Sequence, residues 1–402
     1  MLRLNLDKKK NQKIAAANLR KLQVEDLPQS VEKRKIKRKR NAFIFKAVFI
    51  LIVVAVVYAV GSFLWQNGFT LPNNQPVSLS FTPNNTICDI SYKNAYYFST
   101  IDGLKSVNSD GKDVNADQNA IISPMIRGMK EPIAQKSEKS VLVYDIAGKS
   151  AVLFNENGII SPFNFDKDII KAKMNNKGRF VVILNEDGAK AAVKAYDAGG
   201  NELLTWYSGD GYVVDAMISE TKNMMAVVTN ELADGSLNSK IWFFELDLPD
   251  PVNGCIVSES LCSYVSYYGN GALVLCDDAI YYVTESGEIT KASDFADKKV
   301  VKFKTFPNGD FLICSENSDN ETYTIDIYSA KGKKIKKFTT EAFTEICDIQ
   351  VDKFLVIRHK EVASYNRNGR ILKTADSDYE IRDAIYFKDR LVLVGNDRIV
   401  LN

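Results

Sequence analysis

The chain holds a single histidine, His359, among its 402 residues. A Ser/His/Asp hydrolytic set needs an imidazole beside its nucleophile, and the flanking RHKEV puts His359 just past a strand, at an exposed position. No G-x-S-x-G elbow and no P-loop occur; GNGAL and SGDGY are lone glycine turns that read as hairpins, not phosphate cradles. The six cysteines, Cys88, Cys255, Cys262, Cys276, Cys314 and Cys347, never fall in C-x-x-C spacing, so no Cys/His zinc site is expected. Cys276 in ALVLC and Cys314 in DFLIC end apolar runs, which reads as buried free thiols; disulfides are the alternative for an even count outside a membrane. Beyond residue 76 no helical period appears, and no cofactor is expected.

What the chain does have is one long apolar run. Ala42 to Trp65 reads AFIFKAVFILIVVAVVYAVGSFLW, with 19 uncharged residues from Ala47 to Trp65, close to the roughly 20 needed to cross about 30 Å of hydrocarbon. Lys46 can snorkel at one end and Trp65 suits the interface at the other, so both are expected membrane anchors. A cleaved signal peptide is disfavoured, because forty residues precede the run and no small-x-small site follows it.

Charge sets the orientation. Residues 1 to 40 carry fourteen Lys and Arg against four acids, a net charge of about +10; with +2 over the whole chain, the remainder is about −8. KRKIKRKR (Lys33 to Arg40) abuts the apolar run, while QNGFTLPNNQPVSLSFTPNN beyond it has no charge. The positive-inside bias predicts a cytoplasmic tail at 1–41, a transmembrane helix at 42–65, a linker at 66–76 and an extracytoplasmic domain at 77–402. That arrangement places the chain in a bacterial plasma membrane, N-terminus inside, with anionic lipid as the partner of the basic cluster and no nucleic acid partner. KIAAANLRKLQVEDL, with Ile14, Leu19, Leu22 and Val24 roughly on one side, reads as a transient amphipathic helix in a mostly disordered tail, with a docking point for a cytoplasmic partner as the alternative.

The outer part repeats. Short apolar strands alternate with turns such as SDGK, NENG, DAGGN, ESGE, AKGK and NRNG. Full units run from Ile169 to Tyr207 and from Val300 to Phe338; shorter copies start at Ile87, Ser263 and Ile346, and divergent ones near Ile121 and at Val213. The last copy, IRDAIYFKDRLVLVGNDRIVLN, supplies three strands and leaves an open edge. The spare strand VSLSF at Val77 to Phe81 can complete it, which predicts an all-β propeller of eight four-stranded blades, with seven as the alternative count. Paired β-sandwiches would show no such self-similarity.

An aspartate recurs at one phase of the first strand: Asp89, Asp215, Asp348 and Asp383. First strands line a propeller channel, so these are the candidate carboxylates for a cation such as Ca²⁺ or for hydrolysis at the channel mouth. The structural reading, that each accepts backbone N–H bonds and fixes its turn, is the stronger. The aromatic stretches Tyr96/Tyr97, Trp206/Tyr207, Trp242 to Phe244, Tyr267/Tyr268 and Tyr281/Tyr282 are expected to pack between blades, with glycan or peptide stacking on the outward rings as the alternative.

The KRKIKRKR-then-span order, the polar linker and the YD-x-x-G units in VLVYDIAGKSAVLF and VKAYDAGGNELL together resemble a domain-of-unknown-function family of clostridial-type, single-pass envelope proteins. The resemblance covers nearly the whole chain and implies an extracytoplasmic WD/YVTN-like β-propeller. It carries no catalytic residue, and it inclines Cys88 and Cys347 toward free thiols.

The function expected on these grounds is a non-enzymatic, membrane-tethered binding or scaffold module for an envelope protein or wall polymer. The alternative is a channel-mouth hydrolase or lyase using Asp89, Asp215, Asp348 or Asp383. A transmembrane sensor is disfavoured, because the tail holds no recognisable signalling domain.

Overall fold

The computed structural model describes residues 76–80, 88–233, 235–295, 298–317 and 321–402. The expected tail, the span with Lys46 and Trp65, and nearly all of the linker lie outside them. Among the described residues no helix is long and apolar enough to cross a membrane.

Strands form because the middle of each repeat is covered on both faces. The second strands Phe180–Leu184 (FVVIL) and Arg390–Val394 (RLVLV) are buried at every residue, and Phe311–Glu316 at all but its last. A strand buried on both faces reads as a continuous apolar run instead of an alternating one. Fourth strands are the opposite: Ile371–Asp376 and Lys334–Glu341 are mostly exposed, and the latter is rich in lysine. First strands are intermediate.

The described residues make eight antiparallel sheets. Blade 1 holds Asp89–Tyr92, Ala95–Thr100 and Gly103–Val107; blade 2 spans 132–164, blade 3 169–208, blade 4 212–258, blade 5 262–294, blade 6 299–341 and blade 7 345–376. Blade 8 joins Asp383–Phe387, Arg390–Val394 and Arg398–Leu401 to the far end of the sequence, with Val77–Ser80 as its outermost strand. The register runs from Val77 opposite Leu401 to Ser80 opposite Arg398. The expected latch and the count of eight are therefore both present.

Apolar side chains fill every boundary between consecutive blades. The closing boundary packs Tyr96, Phe98 and Val107 of blade 1 on Phe387, Val392 and Ile399 of blade 8, with Val77 and Leu79 against them. Each large side chain buried in this way contributes about 1.5–3 kcal/mol.

Two expectations need correction. Blade 1 has no fourth strand: an α-helix, α1 (Ala116–Arg127), takes its place, so the blade that was expected to start near Ile121 starts at Pro132. The helix covers the edge left by Gly103–Val107. Ser123 Oγ accepts the Leu104 N–H at 3.0 Å, and Asn119 Nδ2 donates to Ser106 Oγ at 2.8 Å. An open sheet edge is thus satisfied by side chains instead of a strand. The second correction concerns thiols. Cys262 and Cys276 lie opposite each other on the first two strands of blade 5 and form a disulfide. Cys88, Cys314 and Cys347 are buried free thiols as expected, and Cys255 is half-buried.

Candidate functional site

The first strand of each blade has a neighbour on one side only, so its inner edge faces the channel with unpaired backbone groups. Side chains from the preceding blade fill that gap. Gln135 of blade 2 accepts the Met174 N–H with Oε1 at 2.8 Å and donates to the Ala172 carbonyl at 2.8 Å, both on blade 3. Asp215 of blade 4 accepts the Val265 N–H of blade 5 at 2.8 Å. Asp348 of blade 7 accepts the Tyr386 N–H of blade 8 at 2.6 Å. Asp383 accepts the Ala384 N–H of its own strand at 2.7 Å. Three of the four recurrent aspartates therefore accept backbone N–H bonds, as expected, yet Asp215 and Asp348 do so across a blade boundary and not within their own turn.

Asp215 is fully buried and ion-paired twice, to Lys171 Nζ at 2.8 Å and Lys173 Nζ at 2.6 Å. Lys173 also donates to the Val265 carbonyl at 2.5 Å and stands 3.9 Å from the Tyr264 ring centroid. This cluster ties blades 3, 4 and 5 together and leaves Asp215 no reach toward a ligand.

The other three aspartates gather on blades 7, 8 and 1. Asp348 and Asp383 line a cavity of about 400 Å³ with Lys136, Lys304, Glu345 and Arg382. Asp89 stands behind that lining, where the Tyr96 hydroxyl donates to its Oδ2 at 2.8 Å. Burial, reinforced by the nearby Asp383, pushes the Asp89 carboxyl up to about 7, with the Tyr96 bond opposing. Burial also raises Asp383 and Asp348, the latter against the pull of Lys136. Lys136 is itself lowered by burial, partly offset by Asp348, and donates to Ser91 Oγ at 2.9 Å. Burial works against ionisation of Glu345, yet its bond from Lys302 at 2.6 Å and the field of Lys304 hold it below its ordinary value. Among the described residues no three His, Cys, Asp or Glu side chains group closely enough to hold a metal ion.

A larger opening lies where first strands turn into second strands. This cleft, about 760 Å³, is lined by Tyr264, Tyr268, Tyr282, Phe306, Asn176, Asn270, Asn308 and Lys331, among others from blades 3 to 7. Its wall is built by close approach. Gly309 (φ +83°) lies flat against the Tyr268 ring, and a Cβ there would collide with it. The Tyr282 hydroxyl donates to the Tyr268 carbonyl at 3.1 Å, and the Tyr264 and Thr305 hydroxyls share a bond of 2.9 Å. Tyr267, the other half of its doublet, is buried and donates to Glu285 at 2.6 Å. Tyr268 and Tyr282 line the cleft instead of packing between blades; the signal in the sequence is Tyr-Tyr followed at once by Gly-Asn-Gly, which puts one ring of the doublet at a turn.

The family of unknown function DUF5711 matches residues 80–400. The chain belongs to that family. Its matched region covers almost the whole ring and excludes the basic tail and the apolar run. No curated protein sequence matches the chain. Among solved structures, Sqt1 of Saccharomyces cerevisiae superposes with a TM-score of 0.50 at 11% identity, covering 81% of this chain and 97% of that one. The C-terminal WD40 domain of Sif2 does so with a TM-score of 0.51 at 12% identity, covering 80% and 98%. At such identities the likeness is one of fold: this member of the family is an eight-bladed β-propeller.

Proposed function

We propose that the ring is the binding head of a single-pass envelope protein, with the basic tail in the cytoplasm and residues 77–402 outside, and that it holds a protein or wall polymer in the turn-face cleft. The cleft carries this reading. It is open, roomy enough for several residues or sugar units, and presents tyrosine rings beside asparagine amides on a rigid ring. Aromatic surfaces with a few fixed polar groups are what recognition sites generally offer. The tail, the span and the short linker support a tethered head by their order in the sequence.

The test is in-cell crosslinking of the full chain, compared with a Tyr268→Ala/Tyr282→Ala variant and a tail-deleted control. A partner recovered with the full chain and the tail-deleted control, and lost with the double variant, is expected. Recovery of the same partner with the cleft variant would overturn the assignment of the cleft, and no reproducible outer partner would overturn the binding head.

The rival, a carboxylate-dependent hydrolase or lyase, draws on one observation, the raised carboxyl of Asp89 close to Asp383. Against it, Asp348 is engaged by the Tyr386 amide and Asp215 is pinned by two lysines.

A further inference from the structure

The outer rim of blades 6 and 7 carries a charge opposite to that of the domain around it. The turn and fourth strand of blade 6 read AKGKKIKKFTT, with five lysines and no acid from Lys331 to Thr340. Lys334 is committed to buried Asp326 at 3.1 Å. Lys333, Lys336 and Lys337 are exposed and enter no ion pair among the described residues. Blade 7 continues the pattern with Arg367, Arg370 and Lys373 and no acid from Arg367 to Lys373. The two stretches are held together by packing. The Gly369 turn (φ +77°) lies against the Phe338 ring, where any Cβ would clash, and Arg367 is ion-paired to Asp310 of blade 6. Arg370 is thereby set beside the lysine strand.

Aliphatic side chains are interleaved with these cations. Ile335, Ile371 and Leu372 are 46%, 45% and 51% exposed. Edge lysines alone would be explained as protection against strand pairing; exposed isoleucine and leucine among them work against that purpose. Cations beside aliphatic groups are instead the surface that settles on phosphodiester headgroups, charge at the phosphates and methyl groups in the interfacial layer.

The rim also runs up to the strand by which the N-terminal part of the chain joins the ring. Lys373 Nζ donates to the Asn402 carbonyl at 3.4 Å, and neighbouring Leu401 is paired with Val77. The apolar run ends at Trp65, only a short linker before that strand.

We infer that this rim is a lipid-docking surface, which lays the blade 6 and 7 edge against anionic phospholipid headgroups. The inference is separate from the cleft and does not need the transmembrane reading to be correct. It is tested with residues 74–402, which contain all strands of the closed ring, so that the apolar run is absent.

The experiment is co-sedimentation with vesicles of phosphatidylglycerol and phosphatidylcholine, beside vesicles of phosphatidylcholine alone, at low and high salt. Binding is expected only with phosphatidylglycerol and is weakened by salt. Each surface cation contributes roughly a fivefold change in partitioning, so Lys333→Gln/Lys336→Gln/Lys337→Gln should lower it by at least tenfold, with unchanged thermal unfolding as the check on folding. Ile335→Ser/Leu372→Ser should weaken binding that remains at high salt. No binding to anionic vesicles, or binding retained by the triple-lysine variant, would overturn the inference. Capture of soluble polyphosphate without any vesicle binding would also overturn it and assign the rim to a polymer anion.

Discussion

Asp215 of blade 4 accepts the Val265 backbone N–H of blade 5 at 2.8 Å while Lys171 and Lys173 of blade 3 hold its two oxygens. One carboxylate thus joins three blades. Removing one member of a buried ion pair leaves uncompensated charge behind and typically costs about 3–5 kcal/mol. Asp215→Ala is expected to lose roughly that amount in urea unfolding, and Asp215→Asn, which keeps an acceptor for Val265, to lose less. An Ala variant as stable as the parent would refute the clamp.

Asp89 should make stability depend on pH with an unusual sign. Its folded carboxyl titrates at about 7 against an ordinary 3.8, so between those values the folded state binds the extra proton. This contribution is fully present below about pH 4 and is lost as pH rises through 7. Its size is on the order of a few kcal/mol. Asp89→Asn, which stays neutral and can still accept from Tyr96, should flatten the slope of melting temperature against pH between 4 and 7. An unchanged slope would show that Asp383 or Asp348 carries the extra proton instead.

Thiol counting checks the cysteine pairing directly. Unfolded but unreduced protein should react at Cys88, Cys255, Cys314 and Cys347 only, and all six cysteines should label after reduction. A bridge closing a loop of this length stabilises by up to about 3 kcal/mol, so reductant should also lower the unfolding midpoint. Six reactive thiols before reduction would rule the bridge out.

Leu79 is half-buried against the blade 1 and blade 8 core and pairs with Ile399. Leu79→Asp exchanges apolar burial for a carboxylate in a partly dry place and should cost about 2–4 kcal/mol. Ser78→Asp, on the exposed face of the same strand, should cost little. Equal effects from both would mean that the latch does not bear on the core.

The repeat pattern carried most of the fold. Apolar second strands and Gly-containing turns are local, and the spare VSLSF strand was readable because the last copy lacked one. Helix α1 was hidden because its buried face is Asn119, Ile122, Ser123 and Ile126, half of it polar, with Pro124 inside. Those polar groups serve a strand edge, and that use cannot be read from periodicity. The Cys262–Cys276 bridge depends on strand register, and the register shifts between Cys262 and Tyr264. The phase of the four aspartates was legible, but the partners of Asp215 and Asp348 were not. Val265, Tyr386, Lys171 and Lys173 all belong to neighbouring blades, so no spacing within a repeat reports them.

The latch has a consequence for the order of events in synthesis. Val77–Ser80 is translated long before its partner Arg398–Leu401, so the blades between them can stack while the clasp still waits. Contacts so distant in sequence form slowly, because the loop must close before it is rewarded. A strand that waits should be a poor template for strangers. With only Val77 and Leu79 apolar between two serines, this one offers an early partner little surface, and it gains its full burial only when the final strand arrives.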